Sequence, residues 1–145
     1  MIQRIEAELK DAMRARDAVR VATLRLTLSA LRAAEKELQR TLKEDEELQV
    51  LQRERKRRLE AVTAFRDAGR EEQARREQAE LEVLGALLPP PLEEEELERI
   101  IDDAIAETGA TSLRDLGRVM ADVMPQVAGR ADGSTVSQLV REKLA

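Results

Sequence analysis

Pro89-Pro90-Pro91 splits this chain into two segments that must each bury their own apolar surface. Each proline ring fixes φ and removes a backbone donor, so neither a helix nor a central strand runs through three in succession. The triplet reads as a stiff extended spacer. We therefore divide the chain into an N-terminal region over residues 1–88, the spacer over 89–91 and a C-terminal domain over 92–145.

Both segments read as helix. Of the 145 residues, 42% are hydrophobic, 38% are charged and one, Phe65, is aromatic. Ala, Leu, Glu and Arg in such proportions make amphipathic helices, whereas sheets draw on β-branched and aromatic side chains. The expected fold class is all-α, with about four helices in the N-terminal region followed by a small three-helix C-terminal domain.

Periodicity and caps place the helices. Ile2, Ile5, Leu9, Ala12 and Met13 mark a first helix that breaks near Arg16-Asp17, where Asp17 can cap the next. Val21, Leu24, Leu28, Leu31 and Leu38 form a stripe from Ala18 to about Gln39, widened by Val19, Ala22, Leu26 and Ala30, and this helix should be the most buried. Thr41-Leu42-Lys43-Glu44 reads as a capping box opening a third helix, which runs through Leu48, Leu51, Leu59, Val62 and Phe65 to Gly69. Arg70 to Leu88 forms a fourth, burying Ala74, Leu81, Leu84 and Leu88.

Beyond the prolines, Leu97, Ile100, Ile101, Ala104 and Ile105 mark a helix that stops at Gly109. Ser112 can cap a helix carrying Leu113, Leu116, Met120 and Val123 up to Pro125. Asp132 can cap a last one carrying Val136, Leu139, Val140 and Leu144.

Much chemistry is excluded. The chain has no Cys and no His, which removes thiol nucleophiles, imidazole acid–base catalysis, disulfides and the usual zinc and haem ligands. The remaining carboxylates, Lys, Arg, Ser and Thr show no spacing that groups them into a catalytic site, so no independent catalysis, cofactor or small-molecule substrate is expected. No run approaches a membrane span, and Glu6 and Glu8 stand where a signal peptide needs apolar residues, so the expected location is the cytoplasm with no membrane partner. Residues 1–91 hold 19 cations against 18 carboxylates, and residues 92–145 hold 6 against 12. An acidic C-terminal half argues against broad nonspecific phosphate binding, and any nucleic-acid contact there must be local.

Four constellations admit a functional reading. The run Glu93 to Glu96 suits the positive end of a helix dipole better than a metal, because consecutive helical residues cannot converge on one ion. Asp102-Asp103 has the same weakness as a catalytic pair. The cluster Arg53, Arg55, Lys56, Arg57 and Arg58 is either a solvated face with pairs such as Glu54 to Arg58 or a surface for phosphates or an acidic partner. No aromatic residue accompanies it for base stacking. Gly129-Arg130-Ala131-Asp132-Gly133 is either a phosphate contact ahead of a helix or a tight connection serving only the backbone, and it lacks the spacing of a nucleotide loop.

The order Ala64-Phe65-Arg66-Asp67-Ala68-Gly69-Arg70, Leu87-Leu88-Pro89, Glu107-Thr108-Gly109-Ala110, Gly117-Arg118-Val119-Met120, then Pro125 and Gly129 to Gly133 resembles free-standing members of the GatB/YqeY family. The resemblance covers nearly the whole chain and rests on several segments keeping order and separation. It implies an N-terminal helical region, then a three-helix domain like the tail of the B subunit of glutamine-dependent tRNA amidotransferase, a module associated with gripping tRNA. The carbon–nitrogen ligase chemistry, with glutamine as amide donor, belongs to other domains of that enzyme. Carried over by position, Gly117, Arg118, Gly129 and Arg130 match the glycine-basic steps of the family's tail, with Arg114 close by. Arginine replaces the more frequent lysine at 118 and 130, which adds bidentate reach. Leu87 stands where the family often has Tyr, and Glu93 where Ser or Asp usually caps, which should weaken that helix start.

The expected function is a helical adaptor that binds structured RNA, tRNA first, by shape and phosphate contacts of its C-terminal domain, while the N-terminal helices orient it or engage a protein. The alternative is a protein-interaction or self-association module with no RNA role, favoured if apolar stripes of the second and third helices stay exposed. Residues 92–145 make a marginal core, since each large aliphatic side chain contributes about 1.5–3 kcal/mol before entropy. We expect that part to move relative to the N-terminal helices; one common rigid-body tumbling rate in NMR relaxation would contradict it.

Overall fold

The computed structural model describes residues 1–145 and is all-helical, with seven α-helices and no strand. No helix is long and apolar enough to cross a membrane. The chain divides into two compact units, Met1–Pro89 and Pro90–Ala145.

In the first unit α1 (Ile2–Arg14) packs against α2 (Ala18–Leu38), and α2 against α3 (Glu44–Asp67) and α4 (Glu71–Leu87), which pair with each other. Asp17 caps α2, its Oδ1 accepting from the Arg20 amide at 3.2 Å. The core centres on Ile5, Leu24, Leu31 and Leu51, all fully buried. Two further buried positions on α2, Thr23 and Thr27, escape an apolar stripe because they are polar. Their hydroxyls donate to the carbonyls of Val19 and Thr23 at 2.8 Å, so burial strands no hydrogen-bonding group.

Several local expectations fail here. The start of α3 is set by Glu46 rather than by a Thr41–Glu44 box. The Glu46 carboxylate accepts from the Lys43 amide at 2.9 Å and from both terminal nitrogens of Arg40 at 2.8 Å. Those bonds, Arg40 first and the Lys43 amide second, hold its pKa down to about 2. Leu38 and Leu59, expected in the core, are each 47% exposed. Arg58 does not pair with Glu54, which is taken by Arg57 at 3.2 Å. It reaches across to Glu77 at 3.3 Å and to Glu80 on α4. An interhelical carboxylate pair in a half-desolvated seam outcompetes a solvated neighbour one turn back.

The second unit is a three-helix arrangement of α5 (Glu94–Thr108), α6 (Leu116–Val127) and α7 (Gly133–Leu144), in which α6 packs on both others. Its core is aliphatic throughout, with Ile101, Val119, Val123, Val136 and Val140 fully buried. Helices α3 and α5 end at glycines with positive φ, Gly69 at 74° and Gly109 at 68°. Two expectations are corrected in this unit. Ser112 opens a 3₁₀ turn over Leu113–Asp115 that leads into α6, leaving Leu113 52% exposed. Pro125 does not stop α6, which continues to Val127. The proline and Ala121, whose carbonyl loses its donor, are both exposed, so the helix continues with that carbonyl open to solvent.

Arg58 is the most consequential charge in the first unit, with its side chain 11% exposed and Nε unpaired. Burial raises the Glu80 carboxyl above its ordinary value, opposed by Arg58 and reinforced by Glu77. A raised carboxyl means that the folded state holds its proton more tightly, so the associated stability is present at low pH and lost as pH rises through the folded pKa. Arg58→Ala should cost about 1–3 kcal/mol near neutral pH, by leaving two carboxylates facing each other. Urea titrations should show a deficit that shrinks as pH falls and Glu80 takes up its proton.

Candidate nucleic-acid interface

The arginines singled out at 118 and 130 in the second unit reach opposite ends of α5 from outside it. Near its C-terminus, Asp115 gathers the connection to α6. Its carboxylate accepts from the Thr111 amide at 3.0 Å, the Ser112 amide at 3.4 Å and Arg118 Nη2 at 2.6 Å. The Thr111 amide, then Arg118, pulls its pKa below the usual carboxylate value. Arg118 Nη1 donates to the Thr108 carbonyl at 3.2 Å, placing a cation on the negative end of the α5 dipole. Its side chain is nonetheless 60% exposed, and a guanidinium has five donors.

Arg114, Gly117 and Arg118 fall at i, i+3 and i+4 and are all exposed. Arg114 makes no ion pair. Gly117 lies in the first turn of α6, and a Cβ placed on it would meet nothing within 4 Å. Neither backbone geometry nor packing requires glycine there, and its absent side chain leaves the helix surface open between two arginines. Alongside, Leu113, Leu116, Arg141, Glu142 and Ala145 line a shallow groove of ≈ 490 Å³.

Arg130 is placed differently. Its Nε donates to the Pro90 carbonyl at 3.0 Å, its backbone carbonyl accepts from the Leu92 amide at 2.9 Å, and Nη2 lies 3.8 Å from Glu96. The end of the proline spacer is thus pinned to the loop between α6 and α7. Gly129, with φ 74°, allows the turn that presents both groups of Arg130 to it. The partners of Arg118 and Arg130, Thr108 and Glu96, are twelve residues apart on α5, roughly 18 Å by helical rise. The two arginines cannot meet on one phosphate.

The acidic positions are absorbed locally. Glu94 to Glu96 fill the first turn of α5, with Glu93 at the N-cap making no side-chain cap bond. Asp102 takes Lys143 of α7 at 2.9 Å, a bond that raises the lysine's pKa. In the first unit the basic cluster divides: Arg53 and Arg57 are exposed, Arg55 and Lys56 are half-buried, and Arg58 is committed to α4. No group of three or more acidic, His or Cys side chains is placed to hold a metal ion. The Asp115 hub escapes sequence reading, although Ser112-x-x-Asp115 has the spacing of a capping box.

These features define a small helical protein whose exposed chemistry is an arginine-flanked helix start rather than a cluster of acid–base groups. The chain belongs to the family described as Yqey-like protein, which it matches over residues 2–144. It is 29% identical over 145 residues to "Altered inheritance of mitochondria protein 41, mitochondrial" of Pyrenophora tritici-repentis, covering 98% of this chain and 80% of that protein. It is also 42% identical over 57 residues to the E subunit of glutamyl-tRNA(Gln) amidotransferase from Thermococcus gammatolerans, covering 37% of this chain and 9% of that relative.

The two glycines should separate experimentally. Gly117→Ala should raise stability by about 0.5 kcal/mol, since alanine favours the helix and meets no obstacle. Gly129→Ala should lower it by about 1 kcal/mol or more, because a Cβ is strained at that φ. Thermal melts of both variants check the pair of signs.

Proposed function

We propose that the second unit binds structured RNA, tRNA first, through the face carrying Arg114, Gly117 and Arg118, and that the chain is an adaptor with no catalysis of its own. The observation that carries this reading is the 42% identity over 57 residues to an amidotransferase component whose name specifies glutamyl-tRNA(Gln). The segment makes up 9% of that relative, so the amide-transfer chemistry of the whole enzyme does not come with it.

The geometry supports a local contact. Arg114 is unpaired, Arg118 keeps outward donors while Asp115 and Thr108 fix its position, and Gly117 lets a sugar–phosphate backbone approach the helix closely. A pre-positioned guanidinium loses less side-chain entropy on binding than a free one. Arg130, Gly129 and the 53–58 cluster have secondary parts: Arg130 orders the loop, and Arg53 remains available for an acidic partner, while Arg57 holds Glu54. A protein-interaction role without RNA is the second reading, favoured by the exposed apolar side chains of α2. We place the protein in the cytoplasm, where tRNA is available.

Binding of purified chain to total tRNA across a salt series tests the proposal. Saturable binding should fall with salt, and Arg114→Ala with Arg118→Ala should weaken it by about 1–3 kcal/mol and flatten the salt slope by about two charges. Arg130→Ala should act chiefly on stability. No binding at low salt would remove the RNA reading for this chain.

A further inference from the structure

Helix α2 is apolar on two faces, and the fold uses one. Leu24, Leu28 and Leu31 enter the core, while Val19, Ala22, Leu26, Ser29 and Ala33 lie on the other side, with Leu26 and Val19 exposed. These five positions advance by three, four, three and four residues, the spacing of a helix–helix seam. Leu26 at the centre is 51% exposed and Val19 38%. Scattered exposed leucines need no explanation, but a regular seam of small and apolar residues some 20 Å long has the dimensions of a docking face for another helix.

The charges beside the seam select the occupant. Arg25, Arg32 and Lys36 run along one flank. Arg32 is shared with Glu6 of α1, whereas Arg25 and Lys36 have no ion pair. A second copy of this chain docked antiparallel would set that cationic row against itself. In parallel, Glu37 is the one carboxylate of α2 itself that the copy could offer on the matching flank, with Glu82 of α4 beside Val19 at the far end. Repulsion of this kind is how helix pairs reject wrong partners.

We infer that this face of α2 receives an amphipathic helix of a different protein, one with small apolar residues along its seam and carboxylates along one flank. Alanine and serine at three of the five seam positions allow close backbone approach, and Leu26 is the anchor. The site lies in the first unit and is independent of the RNA-binding reading.

The test uses the full chain and two synthetic fluorescent peptides of about three heptads, each with Leu and Ala at the seam. One carries Glu along the flanks and the other Lys. Fluorescence anisotropy should show saturable, salt-sensitive binding of the Glu peptide, with the Lys peptide about tenfold weaker or worse. Leu26→Glu should abolish binding, with helix content unchanged by circular dichroism because the residue is exposed. The double variant Arg25→Glu and Lys36→Glu should reverse the preference between the peptides. Binding of neither peptide, equal binding of both, or indifference to Leu26→Glu would overturn the proposal. A dimer in light scattering that Leu26→Glu turns into a monomer would also overturn it, and would assign the face to a second copy.

Discussion

The constraint on which the structure depends is that this chain builds its cores from leucine, alanine and β-branched aliphatic side chains. With one aromatic in 145 residues, and that one only half-buried, no large ring anchors either unit. Aliphatic cores of this kind fill only when helices approach closely along continuous stripes, and each helix must therefore hold its register. Leu24, Leu28 and Leu31 do this in the first unit, and Val119, Val123 and Val127 in the second. The polar contacts that matter are the ones that fix register: Arg58 between α3 and α4, Lys143 between α7 and α5, and Asp115 at the entry to α6.

How much of this is legible in the sequence follows from how local each signal is. The all-helical class, the cap at Asp17 and the stops at Gly69 and Gly109 are decided within a turn or two of chain, and the residues that decide them are adjacent in sequence. Partners across space are not legible. Arg58 has an acceptable neighbour in Glu54 by spacing, and nothing in the sequence says that Glu77 and Glu80 stand closer. By periodicity Leu26 only widens the buried stripe of α2, because the pattern shows that a helix is apolar on two sides without showing which side finds a partner. Thr23 and Thr27 escape notice for the converse reason: a hydroxyl that bonds back to its own helix behaves as a core residue.

The candidate site is legible in residue type but not in arrangement. Arg118 and Arg130 look equivalent in sequence, each following a glycine. In the fold they diverge, one holding the far end of α5 and the other clamping the Pro90–Leu92 segment. Both are cations applied to backbone carbonyls, a use that competes with phosphate for the same donors. Arg118 escapes that competition in part because two of its donors are engaged and the rest of the group faces water, whereas Arg130, more covered, spends its Nε and approaches Glu96 with Nη2.

That difference bears on how a unit with a net excess of carboxylates could hold a polyanion. Long-range attraction does not favour it, since the field of twelve carboxylates against six cations repels at a distance. Within a Debye length part of that charge is engaged or distant, although Glu142 lines the groove alongside. Asp115 is spent on Thr111, Ser112 and Arg118, Asp102 on Lys143, and Glu94 to Glu96 sit at the opposite end of α5. The start of α6 then presents Arg114 and Arg118 around a bare Gly117, and these act over a few ångströms where geometry outweighs net charge. A surface of this construction would bind few phosphates and reject most polyanions before contact, so its selectivity would have to come from the shape of the one backbone segment that fits over the glycine.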